Sequence, residues 1–357
     1  MYSRITVKIG SNVLAQPNGT LDVKQLESLV EQVATLHKKG VEVILVSSGA
    51  VASGRSEIKP GKKLDTVAAR QLFSAVGQAK LINHYYDQFR KHDIFCGQVL
   101  TTKENFRSRR HYLTMYDCMA TMLDYKVIPI VNENDTVSVT ELMFTDNDEL
   151  SGLISEMMNA EALIMLSNID GIFNGSPGDP SAQVIREIHS AKEDLSTYIQ
   201  AAKSEFGRGG MLTKTAIAQK VAGNGTAVFI ANGKKPNMLV DLMLSPEKPI
   251  CTQFIPSAKH PSSVKKWIGN SQTFARGSII INEGAKNALQ KFAVSLLPVG
   301  VVGIEGEFMK DDVVQILDEK GTSVGIGKVT CDSIKARQIM GKKGEKELIH
   351  YNYLYLL

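Results

Sequence analysis

Residues 131–152 (VNENDTVSVTELMFTDNDELSG) concentrate amide and carboxylate side chains in one segment, which begins where an apolar strand pattern ends. The segment carries Asn132, Glu133, Asn134, Asp135, Asp146, Asn147 and Asp148. Neutral amides beside carboxylates suit a ligand with an ammonium group and a polar body. A solvated loop with an N-cap before a helix at Asp148 is the alternative, but it leaves the two separate clusters unexplained. The pattern therefore favours a binding site.

Two segments of small residues could bring backbone N–H groups close to a ligand. The first is SSGA (47–50), which follows the apolar run VEVILV; a plain tight turn is the alternative. The second is FGRGGMLTKTAIAQ (206–219), a Gly-rich turn that leads into a helix carrying Lys214. N–H groups at a helix N-terminus bind phosphate well when a lysine is near. This segment lacks the GxxxxGK[ST] spacing of a P-loop, and its glycines alone are weak support.

Lys8 lies inside an otherwise apolar strand pattern, ITVKI, just before Gly10 and Ser11. A buried lysine destabilises the fold unless its charge has a partner or a use. Lys8 is therefore a candidate for binding an anion, and the alternative is an ordinary lysine on an edge strand.

The elements that position these residues alternate between strand and helix. Strand patterns cover 4–9, the VEVILV run, 94–100, 127–131, 162–167 and 226–231, and helical patterns cover 21–39, 68–91, 109–124, 148–159 and 213–222. Such alternation with short connections predicts an α/β fold with a mainly parallel sheet covered by helices. Ligands of these sheets bind at the carboxyl ends of the strands. Each candidate segment follows a strand or opens a helix, as that rule requires.

The pattern changes near residue 275, where short strands alternate with Gly-rich or charged turns and only one or two short helical patches. This predicts a small, mostly-β module. The stretch 245–265 holds four of the eleven prolines and is the predicted linker region. The predicted domains are 1–255, a linker at 256–274 and a module at 275–357. Residues 256–357 hold 14 Lys/Arg and 10 Asp/Glu, which accounts for the whole net charge of +4 and is a mild hint of an acidic partner.

Composition excludes several classes of protein. Hydrophobic residues make up 43% and charged residues 22% of the 357, which suits ordinary globular cores. No apolar run approaches the roughly 20 residues that cross a bilayer, and the N-terminus lacks the features of a signal peptide. The four cysteines are far apart without CxxC spacing, so buried free thiols in a reducing cytoplasm are expected.

The ordered set VKIGSNVL, VSSGAVASGR, VNENDTV, TDNDELSG and GRGGMLTK resembles the amino acid kinase family over essentially the whole chain. The resemblance implies a three-layer αβα sandwich with a mainly parallel sheet, and residues 275–357 resemble a PUA module. The NEND and DND elements are the most specific, and they are similar to those of members that phosphorylate free glutamate. The implied reaction is ATP-dependent phosphorylation of the L-glutamate side-chain carboxylate to L-glutamyl 5-phosphate, the first step of proline biosynthesis.

The resemblance also implies roles for individual residues. Lys8 and Lys214 would neutralise the transferring phosphoryl group, and Asp148 would hold both lysines. Glutamate would be bound by Ser48, Gly49, Asn132, Asp135 and Asn147. ATP would be bound by Lys8, Ser167, Asn168, Arg208, Gly209, Gly210, Met211, Leu212, Thr213 and Lys214. Many members have Thr-Asp where this chain has Ser167-Asn168, so we expect different nucleotide contacts there, because Asn lacks the charge.

The implied chemistry needs neither a general base nor a metal cage. A glutamate side chain has a pKa near 4.3 and is already anionic at neutral pH, and no histidine lies beside any of the five motifs that carry the family resemblance. The barrier is electrostatic, so lysines, positioning and Mg²⁺ do most of the work. We expect Mg²⁺ to be held mainly through the nucleotide phosphates and water, without a dedicated site of protein ligands.

Alternatives lie inside and outside the family. Acetylglutamate kinase has no need for Asp135, since its substrate lacks a free ammonium, and aspartokinases usually carry regulatory domains of another kind. An RNA-binding protein is the other class, because PUA modules occur in RNA-modifying enzymes, although the modest positive charge of the tail argues against tight RNA binding.

For partners, the family resemblance implies a homo-oligomer (a dimer or tetramer) and feedback inhibition by proline. Coupling to glutamyl phosphate reductase is also expected, no membrane partner is expected, and nucleic-acid binding by the PUA-like module is left open.

Overall fold

The computed structural model of the chain describes residues 2–61, 64–137, 146–175, 181–189, 211–258, 263–270, 275–292 and 294–356. The chain divides into two compact units, Met1–His260 and Pro261–Leu357. The division falls inside the stretch 256–274, where the sequence predicts a linker.

The first unit is built on one eight-stranded sheet. Its strands are β1 (Arg4–Ile9), β2 (Glu42–Ser47), β3 (Phe95–Thr101), β4 (Val127–Glu133), β5 (Ala162–Ser167), β6 (Glu187–Ile188), β7 (Ala227–Asn232) and β8 (Cys251–Phe254). They lie in the order β3-β4-β2-β1-β5-β7-β8-β6, and every neighbouring pair is parallel except β7 and β8. The predicted α/β class with a mainly parallel sheet is confirmed.

Helices connect these strands and begin and end at local signals. They are α1 (Ser11–Leu14), α2 (Val23–Lys38), α3 (Ala50–Glu57), α4 (Thr66–Arg90), α5 (Lys103–Arg107), α6 (Arg109–Asp124), α7 (Asn147–Met157), α8 (Met211–Gly223) and α9 (Met238–Leu244). At α2, for example, the Asp22 side chain accepts a hydrogen bond from the N–H of Gln25 at 3.1 Å. Gly40, with φ +85°, follows its last turn. Both are common terminal signals of helices.

The strand side chains alternate between two cores, one on each face of the sheet. Ile5, Val7 and Ile9 of β1 are in the larger core, together with apolar residues of α2, α4 and α9. Leu163 and Met165 of β5 are in a second core, which includes apolar residues of α8. Because successive side chains of a strand point to opposite faces, helices cover both faces and the unit has three layers.

Part of the Pro-rich stretch 245–265 is a strand and not a linker, so the sequence prediction was wrong there. Residues 251–254 form β8, which pairs with β7 and β6. Its prolines lie outside the strand, at 249 and 256, so the N–H groups of β8 stay available for the sheet. The N–H of Ile255 also donates to the carbonyl of Ile188 at 2.9 Å.

The second unit is mostly β, as predicted. Its strands are β9 (Gly277–Ile281), β10 (Val301–Gly306), β11 (Val313–Asp318), β12 (Ser323–Val329) and β13 (Ile349–Leu356), in the order β10-β9-β11-β12-β13. Its helices are α10 (Ser263–Asn270), α11 (Glu283–Lys291) and α12 (Ser333–Ile339). Helix α10 lies within the predicted linker 256–274 and packs closely on β13, because a Cβ atom at Gly269 would come within 3.0 Å of the Tyr355 ring.

No helix in the described ranges is long and apolar enough to cross a bilayer. All four cysteines are free thiols, but the expectation that they are buried holds only for Cys251. Cys118 is exposed, and Cys96 and Cys331 are half-buried. Burial raises the pKa of Cys96 to about 11, which makes this thiol a poor nucleophile at neutral pH.

Candidate active site

Four adjacent parallel strands end at the same edge of the large sheet. Lys8 lies in β1 one residue before its end, and Ser47, Glu133 and Ser167 are the last residues of β2, β4 and β5. The strands neighbour each other in the order β4-β2-β1-β5. The predicted binding residues Lys8, Ser48, Asn132 and Ser167 therefore lie at the carboxyl edge, where open parallel sheets bind ligands.

The centre of this edge is a buried group of two lysines on one carboxylate. Lys8 Nζ lies 2.6 Å from Asp148 Oδ1, and Lys214 Nζ lies 2.7 Å from Asp148 Oδ2. Only 8% of each lysine side chain and 2% of the Asp148 side chain are exposed. The three groups carry one net positive charge in a buried place, which suits an incoming polyanion.

The pKa values of Asp148 and Lys214 are shifted by burial and by the charges of their neighbours. Burial alone would raise the pKa of Asp148, but the charges of Lys8 and Lys214 outweigh it and lower that pKa to about 2. The pKa of Lys214 is lowered, first by burial and then by the charge of Lys8, although Asp148 opposes both effects. Such shifts are common at functional sites.

Helix α7 places Asp148 in its first turn. Asp146 caps the helix, because its Oδ1 accepts hydrogen bonds from the N–H groups of Asp148 at 2.9 Å and Glu149 at 3.1 Å. Burial raises the pKa of Asp146, and the charge of Asp148 adds to the increase. The DND element is thus both a helix cap, as the alternative interpretation held, and the source of the central carboxylate.

Close packing of α7 on α8 brings Lys214 to Asp148. A Cβ atom at Gly152 would lie 3.0 Å from Ile217 Cγ2 and 3.1 Å from Val221 Cγ2. The missing side chain at Gly152 therefore lets the two helices approach, one turn beyond Asp148 on α7.

Three residues predicted to bind the substrate come together beside this centre. The Asn147 side-chain amide donates hydrogen bonds to Ser48 Oγ at 2.9 Å and to Asn132 Oδ1 at 3.1 Å. These residues come from α7, from the end of β2 and from β4. Gly49, also predicted to bind the substrate, has φ +111° and begins α3 directly after Ser48, a backbone conformation that glycine adopts without strain.

Asp135 is the predicted partner of an ammonium group, and in this structure an arginine contacts it. Arg70 Nη2 forms an ion pair with Asp135 Oδ1 and lies 2.8 Å from Glu133 Oε2. Ser74 Oγ donates to Asp135 Oδ2 at 3.0 Å. Asp135 is 9% exposed, so its negative charge is held by an internal network at the edge of the site.

The sequence predicts the helix that supports this side of the site, as the helical pattern 68–91, but it did not indicate that polar residues of this helix belong to the site. Arg70, Ser74 and Gln78 of α4 are spaced by four residues and share one helix face. Besides the Arg70 and Ser74 contacts, Gln78 Oε1 accepts a hydrogen bond from Asn132 Nδ2 at 2.8 Å. Polar residues at this spacing in a helix that is otherwise packed on a core were the available signal.

Two of the residues predicted to bind ATP, Ser167 and Asn168, lie at the end of β5, which neighbours β1 on the side opposite to β2. The N–H of Gly233 donates to the Ser167 carbonyl at 2.8 Å, and the N–H of Gly10 donates to the Leu166 carbonyl at 3.1 Å. A Cβ atom at Gly233 would lie 2.9 Å from Leu166 Cβ, so the backbones approach closely here. Asn168, the residue that departs from the family pattern, is exposed.

A second polar cluster, which the sequence did not indicate, follows β5 and β7. Asn232 Nδ2 donates to Asp170 Oδ1 at 2.9 Å, and Lys235 Nζ lies 2.8 Å from Asp170 Oδ2. Burial would raise the pKa of Asp170, but the hydrogen bonds from Lys235 and Asn232 lower it.

Three further residues predicted to bind ATP lie at the start of α8. Met211, Leu212 and Thr213 form its first turn before the buried Lys214, and Leu212 is 56% exposed. Arg208, Gly209 and Gly210 lie outside the described residues.

Comparison with known proteins agrees with this architecture. Residues 3–232 match the amino acid kinase family and residues 277–350 match the PUA domain. A protein of Bacteroides thetaiotaomicron named glutamate 5-kinase is 65% identical, with 99% of each chain covered. One of the same name from Chlorobaculum tepidum is 48% identical, covering 100% of this chain and 98% of its own.

Among solved structures, a carbamate kinase of Giardia lamblia bound to AMP-PNP matches with a TM-score of 0.52 at 17% identity. The match covers 72% of this chain and 99% of that one. At this identity it supports the fold alone.

Proposed function

The chain belongs to the amino acid kinase family, and we propose that it transfers the γ-phosphoryl group of ATP to the side-chain carboxylate of free L-glutamate. The product is L-glutamyl 5-phosphate, and the reaction is the first step of proline biosynthesis. The two full-length relatives described above are named for this reaction. The site supports it through two features, a positive centre for the phosphoryl group and a polar pocket for an amino acid.

The observation that carries the proposal is the pair of buried ammonium groups on Asp148. In the reaction, a glutamate carboxylate oxygen bonds to the γ-phosphorus while the bond from that phosphorus to the bridging oxygen of ADP breaks. The carboxylate is ionised at neutral pH, so no base has to remove a proton. Lys8 and Lys214 neutralise the phosphoryl oxygens as the two anions approach, and Asp148 keeps both ammonium groups in place.

Glutamate recognition is assigned to the polar residues next to this centre. The pocket is assigned hydroxyl, amide and backbone groups from Ser48, Gly49, Asn132 and Asn147. The hydrogen bonds from Asn147 to Ser48 and Asn132 support this assignment, because they bring three of these residues together. Asp135 binds the substrate ammonium. A free ammonium is what separates glutamate from acetylglutamate, so this carboxylate favours the unacylated substrate.

ATP binding is assigned to the carboxyl end of β5 and to the start of α8. The residues are Lys8, Ser167, Asn168, Arg208, Gly209, Gly210, Met211, Leu212, Thr213 and Lys214. Mg²⁺ is assigned mainly to the nucleotide phosphates and water, because this ion keeps several waters and is usually held with few protein ligands. Asp146 would contact the water shell of the ion, because its Oδ2 is buried and accepts no hydrogen bond from a described residue. The bound ion would offset phosphate charge.

The organisation of the chain follows the same assignment. Residues 1–255 carry the kinase reaction, 256–274 connect the domains, and 275–357 form a separate PUA-like domain whose ligand is not assigned. We place the enzyme in the cytoplasm, consistent with four free thiols. A homo-oligomer and coupling to glutamyl phosphate reductase are part of the proposal.

The direct test uses the purified full-length chain with ATP, Mg²⁺ and glutamate. Glutamate-dependent release of ADP and trapping of the acyl phosphate by hydroxylamine are expected, with little turnover of N-acetylglutamate or aspartate. Faster turnover of either alternative substrate would replace the proposed function with that of another family member.

Substitution Asp135→Asn tests the assignment of the ammonium partner. The loss of one member of a buried charge pair costs about 2 kcal/mol or more, so KM for glutamate should rise roughly 30-fold or more while KM for ATP barely changes. Asp117→Asn on the exposed side of α6 is the matched control. Saturation of Asp135→Asn at the glutamate concentrations that saturate the original chain would contradict the assignment.

A further inference from the structure

We propose that Arg70 is a specificity-determining positioning residue, which holds Glu133 and Asp135 together and sets the charge of the ammonium subsite. The inference rests on the proposed function, because it concerns how the same pocket recognises free glutamate. Arg70 would act on the substrate through Asp135 and would not itself contact the reacting atoms.

The geometry places one guanidinium group between two carboxylates. Arg70 Nη2 contacts both Glu133 Oε2, at 2.8 Å, and Asp135 Oδ1. The side chains of Glu133 and Asp135 are 4% and 9% exposed, and that of Arg70 is 24% exposed. Two carboxylates that share a buried place repel each other, and the arginine reduces this repulsion.

The charges of these groups match the substrate. Arg70, Glu133 and Asp135 together carry one negative charge, which one ammonium group neutralises. Removing Arg70 takes away a positive charge in contact with both carboxylates, so they repel each other more. Asp135 would then no longer be held in the position in which it meets the substrate ammonium.

The helix that carries Arg70 is fixed to the rest of the pocket. Arg70 and Ser74 of α4 contact Asp135. Gln71 Nε2, on the same helix, donates a hydrogen bond to the Thr136 carbonyl at 3.1 Å. A Cβ atom at Gly77 would lie 1.8 Å from the Ala50 carbonyl oxygen, so α4 packs against the backbone of α3. Helix α3 begins directly after Gly49 in the pocket. Arg70 therefore sits on a rigid element that joins the two sides of the glutamate site.

The test compares Arg70→Met and Arg70→Lys with the original chain, and Arg90→Met at the far end of α4 is the matched control. The substrates are glutamate, glutarate, which lacks the ammonium, and 4-aminobutyrate, which lacks the α-carboxylate. In Arg70→Met we expect kcat/KM for glutamate to fall about 30-fold, mainly through KM. The preference for glutamate over glutarate should shrink. Arg70→Lys should restore most of each property, and Arg90→Met should change none.

Three results would overturn the proposal. An unchanged preference for glutamate over glutarate would show that Arg70 has only a structural role. Loss of the preference over 4-aminobutyrate alone would show that Arg70 binds the substrate α-carboxylate instead. If Arg70→Lys lost as much kcat/KM for glutamate as Arg70→Met, the positive charge of Arg70 would not be what the site needs. Absence of glutamate turnover in the original chain would instead reject the proposed function.

Discussion

Two aspartates, one in each unit, have the same low pKa for different reasons. Asp148 of α7 and Asp318 at the end of β11 both have a pKa of about 2, and each lies 2.7–2.8 Å from a lysine nitrogen. Asp148 is buried, and the charges of Lys8 and Lys214 lower its pKa although burial alone would raise it. Asp318 owes its low value first to the hydrogen bond from Lys286 and next to the N–H of Thr322, in the turn that joins β11 to β12.

The lysines of the two pairs differ in their environment. The pKa of Lys214, 8% exposed, is lowered, first by burial. The pKa of Lys286, 25% exposed, is raised, first by its hydrogen bond with Asp318. A low carboxylate pKa therefore does not identify a catalytic site by itself. Two buried lysines that share one carboxylate are a stronger indicator, because the protein gives up the solvation of these charges to bring them together.

The largest effect is expected from Asp148→Asn, which leaves two buried ammonium groups without their shared carboxylate. Breaking a buried ionic group by removing one partner costs about 3–5 kcal/mol. For a unit of this size that corresponds to a fall in Tm of roughly 10 °C. Scanning calorimetry of the full chain checks this result.

Added ATP gives Asp148→Asn a second readout. A polyanion should raise the Tm of this variant more than that of the original chain, because it supplies the missing negative charge. An unchanged Tm without ligand, or an equal response to ATP in both proteins, would contradict the contrast drawn between the two aspartates.

Much of the first unit was predictable because its periodicity is local and strong. The strand 162–167 and the helix 109–124 have the bounds that the sequence predicts. β8 was missed, because its four residues are too few to show the alternation of apolar and polar side chains that marks a strand, and prolines lie on both sides of it. Only pairing with β7 and β6 makes these residues a strand. Helix α10 was missed for a similar reason, because its stability comes from packing against β13 of the second unit.

The site was predictable only in part. The NEND and DND elements and Lys8 and Lys214 indicated which residues to examine, and the structure brings Lys8, Asp148 and Lys214 together. The spacing of Arg70, Ser74 and Gln78 indicated a polar helix face but not its partner, because the contact of Arg70 with Asp135 joins residues 65 positions apart. An ion pair of this kind depends on tertiary structure, whereas the α7 cap depends on neighbours in sequence. The role of each predicted residue stays a prediction until it is tested.

A smaller effect, on catalysis, is expected from Lys214→Ala compared with Lys286→Ala. Both lysines pair with an aspartate of pKa about 2, but only Lys214 faces the proposed phosphoryl group. Loss of one transition-state contact costs on the order of 3 kcal/mol, or about a hundredfold in kcat. Lys286→Ala should keep the original kcat. Steady-state kinetics would reject the assignment if Lys214→Ala kept its kcat and lost only affinity for glutamate.

The smallest effect is expected from Asp318→Asn, which should leave glutamate kinetics unchanged and lower stability slightly. The folded-state pKa of Asp318, about 2, lies below the ordinary value near 3.9. Its contribution to stability is therefore present above pH 4 and is lost as the pH falls towards 2. The Tm difference between Asp318→Asn and the original chain should be seen at pH 7, shrink below pH 4 and vanish near pH 2. A change in kcat at pH 7 would give the second unit a part in the reaction, and a Tm difference that persists at pH 2 would mean that Asp318 stabilises the turn without its charge.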